Sequence, residues 1–331
     1  MKSRFYRPLS LACISPTYFP DIALFVRNSG NYILYKNHDR KFTEADQHRL
    51  ARTNTQFLYV RSGDMDVVTE YLEQNLDTLL ARDDIDSGAK GTILYQTAAN
   101  YVTDVFDEPG KTADIIRCRN LIRHLMKYVA GHEDALKALQ AITSQNYYIF
   151  THSVQVAALM MLVHDRLFNL NQDEMTDVGV GSLLHDVGLV FLSGNLLDTP
   201  EALTAIEYHK VKQHAQKGYE HLSAAGTLGE VSLTIVRHHH EKYDGSGYPA
   251  GLKGDDIPRS AQLAALCDTY CAMTTNRPKH TALPGKEALR IMEDEVGSSF
   301  SPEMFERFAA VVERKGKARK LSLIPSHTAA P

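Results

Sequence analysis

The run His238-His239-His240-Glu241-Lys242-Tyr243-Asp244-Gly245-Ser246-Gly247-Tyr248-Pro249 constrains this chain more than any other stretch of it. Three consecutive imidazoles offer nitrogen ligands to a transition metal. The glycines at 245 and 247 then let the backbone reverse sharply or approach a ligand closely. A metal centre needs more ligands than this run supplies, so the fold has to bring others to it.

The length of 331 residues suggests two domains. With 44% hydrophobic residues, 23% charged and a net charge of -4, the chain reads as an ordinary soluble protein. That balance argues against a binder of nucleic-acid polymers that relies on bulk charge. Cys13, Cys118, Cys267 and Cys271 form no C-x-x-C pair, which fits a reducing cytoplasm better than a disulfide framework. Cys267 and Cys271, one helical turn apart, read as buried thiols, with metal contact as the alternative. No apolar run is long enough to span a bilayer. Pro8, Ser10, Ser15 and Pro16 interrupt anything like a signal-peptide core after Lys2, Arg4 and Arg7. A cytoplasmic location is expected.

The overall class is α+β, with a small α/β domain over residues 1–82 followed by an all-α bundle. Ile22–Val26 and Tyr32–Tyr35 flank Asn28-Ser29-Gly30-Asn31, a strong hairpin signal. Thr43 is placed to cap a short helix, Phe57–Val60 reads as a strand and Met65–Leu80 as an amphipathic helix. This module carries no nucleotide loop or nucleophile motif and reads as a sensor or interaction domain. Residues 83–135 read as a polar linker and helical connector: Ile93–Phe106 ends before Pro109-Gly110, and Ala113–Val129 stops near Gly131. Such helices serve as dimer or relay elements, or simply pack on the core.

From 136 to 312 the helices become more apolar. His152 starts one of them. Thr176–His185 forms the next, with Gly188 placed to stop it. His214 is expected on a helix that follows Pro200 and runs through Val211. Taken singly, each of these histidines is ordinarily structural, as are His124, His132, His164 and His221. Together, His152, His185-Asp186, His214, His239-His240 and Asp268 fall on separate helices or their ends, so a bundle could converge them. Imidazole with carboxylate and no thiolate suits iron, manganese or zinc in open coordination. Residues 313–331 read as a basic, solvated tail.

In this order the residues resemble the HD-GYP family of HD metal-dependent phosphohydrolases. His152, His185-Asp186, His214, the stretch His239–Pro249, Asp268 and Arg277-Pro278 match its hallmarks, and the resemblance covers roughly residues 136–312. It implies a helical domain of HD type with a centre of two or three metals that hydrolyses cyclic di-GMP to linear pGpG. On that basis the metal ligands are His152, His185, Asp186, His214, His239, His240 and Asp268. Asp186 bridges two ions and positions a bridging hydroxide. Arg277 holds a phosphate, while Tyr248, Gly247 and Asp244 border the substrate. The resemblance also implies a diguanylate cyclase (GGDEF) domain as a partner of the loop, and a homodimer is possible.

The chain departs from the family pattern at four points. Leu189 stands where members carry a phosphate-contacting lysine, a loss worth roughly 10²–10³ in rate by analogy with lost oxyanion donors. Cys271 replaces a common aspartate, and His280 lies near where a basic residue is usual. Tyr148 stands where three-metal members have a glutamate, which predicts two ions. Three functions follow: a cyclic di-GMP phosphodiesterase, a degenerate member acting as a binding or signalling module, and a phosphohydrolase of another nucleotide.

Overall fold

The computed structural model describes residues 5–107, 115–132, 135, 148–192, 204–276 and 281–313, with the backbone alone at 148–151. The chain divides into two compact units, residues 1–101 and 102–331, and the division falls inside one helix, Ser87–Asp107.

The first unit holds an antiparallel sheet of four strands: β1 (Tyr6–Ser10), β2 (Leu24–Asn28), β3 (Asn31–Lys36) and β4 (Phe57–Arg61), in the order β1-β4-β2-β3. The β2–β3 hairpin turns where expected, with Ser29 and Gly30 both at positive φ, the geometry that a two-residue hairpin of native twist requires. Helix α1 (Glu44–Arg52) opens on a capping box between Thr43 and Asp46, and α2 spans Met65–Leu80. Arg40 and Arg49 both reach the Asp46 carboxylate at 2.6 Å, and hydrogen bonds from Arg40, Thr43 and Tyr35 hold it well below its ordinary range despite the cost of burial.

The second unit is helical. After α3 (Ser87–Asp107) come α4 (Ile115–Gly131), α5 (Tyr148–Leu167), α6 (Gln172–Leu183), α7 (Ala205–Lys212), α8 (His214–Ala224), α9 (Glu230–His238), α10 (Arg259–Thr274), α11 (Gly285–Glu293) and α12 (Pro302–Glu313). Helix α6 packs on α4, α5 and α9, and α10 packs on α5, α9 and α11. Val156, Met160, Val163, Ile235, Leu263 and Phe308 sit in one buried core. No helix among the described residues is long and apolar enough to cross a membrane.

Two helix boundaries differ from the sequence reading. The third helix of the bundle starts at the Asn171–Glu174 capping box and ends at Leu183, short of His185. Gly188 does not cap it but lies inside a 3-10 segment, Val187–Phe191, which packs on α8. His214 does not share a helix with Val211; it is the first residue of α8 after a break at Gln213.

His164, on α5, donates or accepts only within its own turn, with Nδ1 2.8 Å from the Met160 carbonyl and the ring against Phe168. Burial pushes its pKa down to about 4. The folded protein therefore holds it neutral, while the unfolded chain protonates near the ordinary value of about 6.5. Stability from this residue is full above pH 6.5 and is lost progressively as pH falls from there toward 4. The expected loss by pH 5 is about 2 kcal/mol, from ~1.4 kcal/mol per pH unit. Denaturant titrations at pH 7 and pH 5 on the chelated protein check this. His164→Leu should flatten the difference by that amount, and an unchanged slope would refute the assignment.

Candidate metal centre

Each ligand candidate sits at a helix end or on a helix face that turns it inward. His152 lies in the second turn of α5, His185 and Asp186 follow the end of α6, and His214 opens α8. His239 caps the C-terminus of α9, His240 follows it, and Asp268 is mid-way along α10. The ligand atoms of Asp186, His214, His239 and His240 lie within 4.8 Å of one another, and so do those of His152, His185 and Asp268. The structure thus brings together every residue assigned to metal from sequence, in two adjoining groups.

Asp186 connects the groups. Its Oδ2 is 3.3 Å from His185 Nε2, while its Oδ1 is 3.2 Å from His214 Nε2 and 3.8 Å from His239 Nε2. In the other group, His152 Nε2 is 2.7 Å from Asp268 Oδ1.

The hydrogen bonds fix the ring orientations. His185 Nδ1 lies 2.8 Å from the Ser182 carbonyl, His214 Nδ1 2.7 Å from Val211 O, and His239 Nδ1 3.0 Å from Val236 O. A carbonyl only accepts, so each Nδ1 donates to it and each ring turns its Nε2 inward. His214 Nε2 then faces His239 Nε2 at 3.2 Å, and both face the Asp186 carboxylate. His185 Nε2 is buried without a well-aligned hydrogen-bond partner. Nitrogens and carboxylate oxygens this close need a proton or a cation among them, and backbone carbonyls behind metal-bound imidazoles are the usual second layer of metal sites.

The electrostatics agree. Burial alone would push His185 down, but the Asp186 and Asp268 carboxylates outweigh it and lift it to about 9. Asp186 is held well below the ordinary carboxylate range against the effect of burial, chiefly by His185, and Asp268 likewise by His152. Burial, reinforced by neighbouring imidazoles, lowers His239 and His240. The pocket favours added positive charge on the acidic side and unprotonated nitrogen on the other. The residues fit divalent ions with N and O donors. The thiols do not join them: Cys267 and Cys271 are buried, free and raised in pKa by that burial.

Tyr248 covers the group of His214, His239 and His240, its ring 4.8 Å from that of His240, and is followed by a cis bond to Pro249. A Cβ at Gly247 would collide with the Lys242 amide, so that position admits only glycine. Asp244 is exposed, and its carboxylate accepts from the Ser246 amide at 2.8 Å, closing the loop's own turn. Arg277 and His280 lie outside the described residues, as does the Tyr148 side chain. Leu189 is 8% exposed, an apolar side chain buried three residues after Asp186.

Two positions that organise the site, Glu241 and Asp177, were not singled out from sequence, and a third, Gly188, was read only as a helix stop. Glu241 is 3% exposed and accepts from the amides of Ala250 at 2.7 Å and Leu252 at 3.0 Å, tying the Gly-Tyr-Pro loop to the residue beside His240. Asp177 on α6 accepts from the amides of Val231 at 3.1 Å and Ser232 at 3.2 Å and from the Ser232 hydroxyl. It therefore caps α9 from a neighbouring helix and fixes the axial register between the helices that lead into His185 and His239. Gly188 lets the 3-10 segment lie against the first turn of α8. A glutamate between metal ligands and a glycine loop, and the Gly179-x-Gly181 pair inside α6, were the available signals.

The HD domain family matches residues 135–304. The chain is 32% identical over 203 residues to a cyclic di-GMP phosphodiesterase of Pseudomonas aeruginosa, PA4108, covering 61% of this chain and 49% of that one. It is 32% identical over 167 residues to 3'3'-cGAMP-specific phosphodiesterase 3 of Vibrio cholerae, covering 50% of this chain and 35% of the relative. The chain thus spans about half, or less, of the length of these curated relatives. Among solved structures, Bd1817, a HDG"Y"P protein from Bdellovibrio bacteriovorus, superposes with a TM-score of 0.68 at 19% identity, over 93% of this chain and all of that one, which establishes a shared fold. With the match across the helical bundle, and seven candidate ligands gathered into two adjoining groups, this chain belongs to the HD domain family.

Proposed function

We propose that this chain is a metal-dependent phosphodiesterase that opens cyclic di-GMP to linear pGpG. The observation that carries the reading is Asp186, whose two oxygens face two separate ligand groups. Those groups would hold two divalent ions, with iron as the first choice and manganese or zinc as alternatives, and bound ions would supply water activation and charge neutralisation at the phosphodiester. The chain's own residues do the rest. Asp186 sets the spacing of the groups, the carbonyls behind His185, His214 and His239 hold the ring orientations, and Glu241 and Gly247 hold Tyr248 over the group of His214, His239 and His240. The relatives named cyclic di-GMP and 3'3'-cGAMP-specific phosphodiesterases support the substrate class.

The test is a hydrolysis assay on anaerobically iron- or manganese-loaded protein, with metals quantified and products separated by chromatography. Linear pGpG and about two tightly bound ions per chain are expected. Absence of any linear product would sink the enzyme reading. A substrate panel with 3′3′-cGAMP and a mononucleotide decides between cyclic di-GMP and another nucleotide.

One observation favours a second reading. Leu189 brings a buried apolar group to the position where the HD-GYP resemblance implies a phosphate-contacting lysine, which favours binding of cyclic di-GMP without turnover. Leu189→Lys tests this directly, with an expected gain in kcat of roughly ten-fold or more. Unchanged or lower turnover, with metal content intact, would show that Leu189 is not the limiting defect.

A further inference from the structure

We infer that Lys212 is a phosphate-binding residue of this site and supplies from a different helix the positive charge that Leu189 lacks. This rests on the phosphodiester reading above. Lys212 is the last residue of α7, two positions before His214. Its Nζ lies 5.4 Å from the ring centroid of Tyr248 and 4.8 Å from that of Tyr208, and the Tyr248 ring in turn stacks on His240. The ammonium is therefore held between two aromatic faces at the rim of the metal groups.

It is half-buried there, and among the described residues no carboxylate pairs with it. The acid of the same helix, Glu207, is engaged by the Thr204 amide and hydroxyl at the opposite end of α7. Helix α7 has no buried residue, and Ile206 and Tyr208 are 72% and 52% exposed, so packing does not explain why Lys212 turns inward. Cation–π contact with two tyrosines fixes the side chain without neutralising it. An ammonium beside sites for two dications is electrostatically unfavourable until an anion lies between them. A bridging phosphodiester has the charge and the acceptor oxygens to do so, whereas the buried Leu189 offers neither charge nor donor.

The experiment compares wild type, Lys212→Gln and Lys212→Arg. It measures kcat and KM for cyclic di-GMP, inhibition by inorganic phosphate, and equilibrium binding of cyclic di-GMP to the chelated protein. Loss of one charge-assisted contact predicts that Lys212→Gln raises KM and weakens both cyclic di-GMP and phosphate binding by about ten-fold or more. Metal content and thermal melting should be unchanged, and Lys212→Arg should recover most of the loss. Wild-type binding of both ligands by Lys212→Gln overturns the inference while leaving the hydrolase reading standing. If wild type fails to hydrolyse or bind cyclic di-GMP but Lys212→Gln still loses phosphate inhibition against a generic phosphodiester, the substrate reading fails and Lys212 stands. A wild type that binds neither phosphate nor cyclic di-GMP overturns both.

Discussion

Asp186→Ala is expected to remove metal from both ligand groups and to lower turnover by a factor on the order of 10⁴ or more, as when a member of an interdependent catalytic unit is lost. The reason is geometric. One carboxylate serves two groups, with Oδ2 toward His185 and Oδ1 toward His214 and His239. Its removal leaves buried imidazole nitrogens facing one another at 3.2 Å with nothing to balance a cation. A single histidine of the other group, such as His152, pairs with Asp268 within that group. Its replacement should therefore deplete one group and spare the other. Metal analysis on Asp186→Ala and His152→Ala, run beside the hydrolysis assay, separates the two. Retention of both ions by Asp186→Ala would show that it does not link the groups.

How much of this site was legible in the sequence depends on what kind of residue carries it. The ligands were legible because histidines and aspartates at inward positions of an apolar bundle have few other uses, and their order along the chain is informative. The elements that place them were not. The chain breaks at Gln213, but Gln213 itself keeps right-handed helical dihedrals, so no glycine or proline marks the boundary and Val211 and His214 read as one helix. Asp177 caps a helix that begins more than fifty positions later, a contact invisible to any local window. In the first unit the hairpin and the Thr43 cap were legible because their signals are local: positive φ at Ser29 and Gly30, and a carboxylate three residues after Thr43. Arg277, assigned a phosphate by resemblance, lies outside the described residues. Lys212 was missed because its role depends on Tyr248, a residue far from it in sequence but close in space.

Gly188→Ala separates the two meanings a glycine can have. The sequence suggests a helix stop, for which alanine would cost only the left-handed conformation. In the structure Gly188 is not among the glycines with positive φ, and its cost is spatial. A Cβ there would overlap the His214 carbonyl oxygen and lie 2.7 Å from the Gly218 amide nitrogen, all backbone that cannot rotate away. The 3-10 segment would have to move off the first turn of α8, parting Asp186 from His214 across a 3.2 Å contact. Overpacking against fixed backbone predicts a loss of stability at or above the usual ~1–3 kcal/mol. The variant should also lose the metal held by the His214 group even where it still folds. Gly218→Ala meets softer neighbours, the nearest being the Gly188 amide at 3.1 Å and the Val236 methyl at 3.2 Å, and should cost less. Gly131→Ala, at the end of α4 with nothing within 4 Å, should be neutral or slightly stabilising. Thermal melts and metal content across the three variants should follow that order. If Gly188→Ala instead behaves like Gly131→Ala, the close approach of the 3-10 segment to α8 is not what sets the distance between Asp186 and His214.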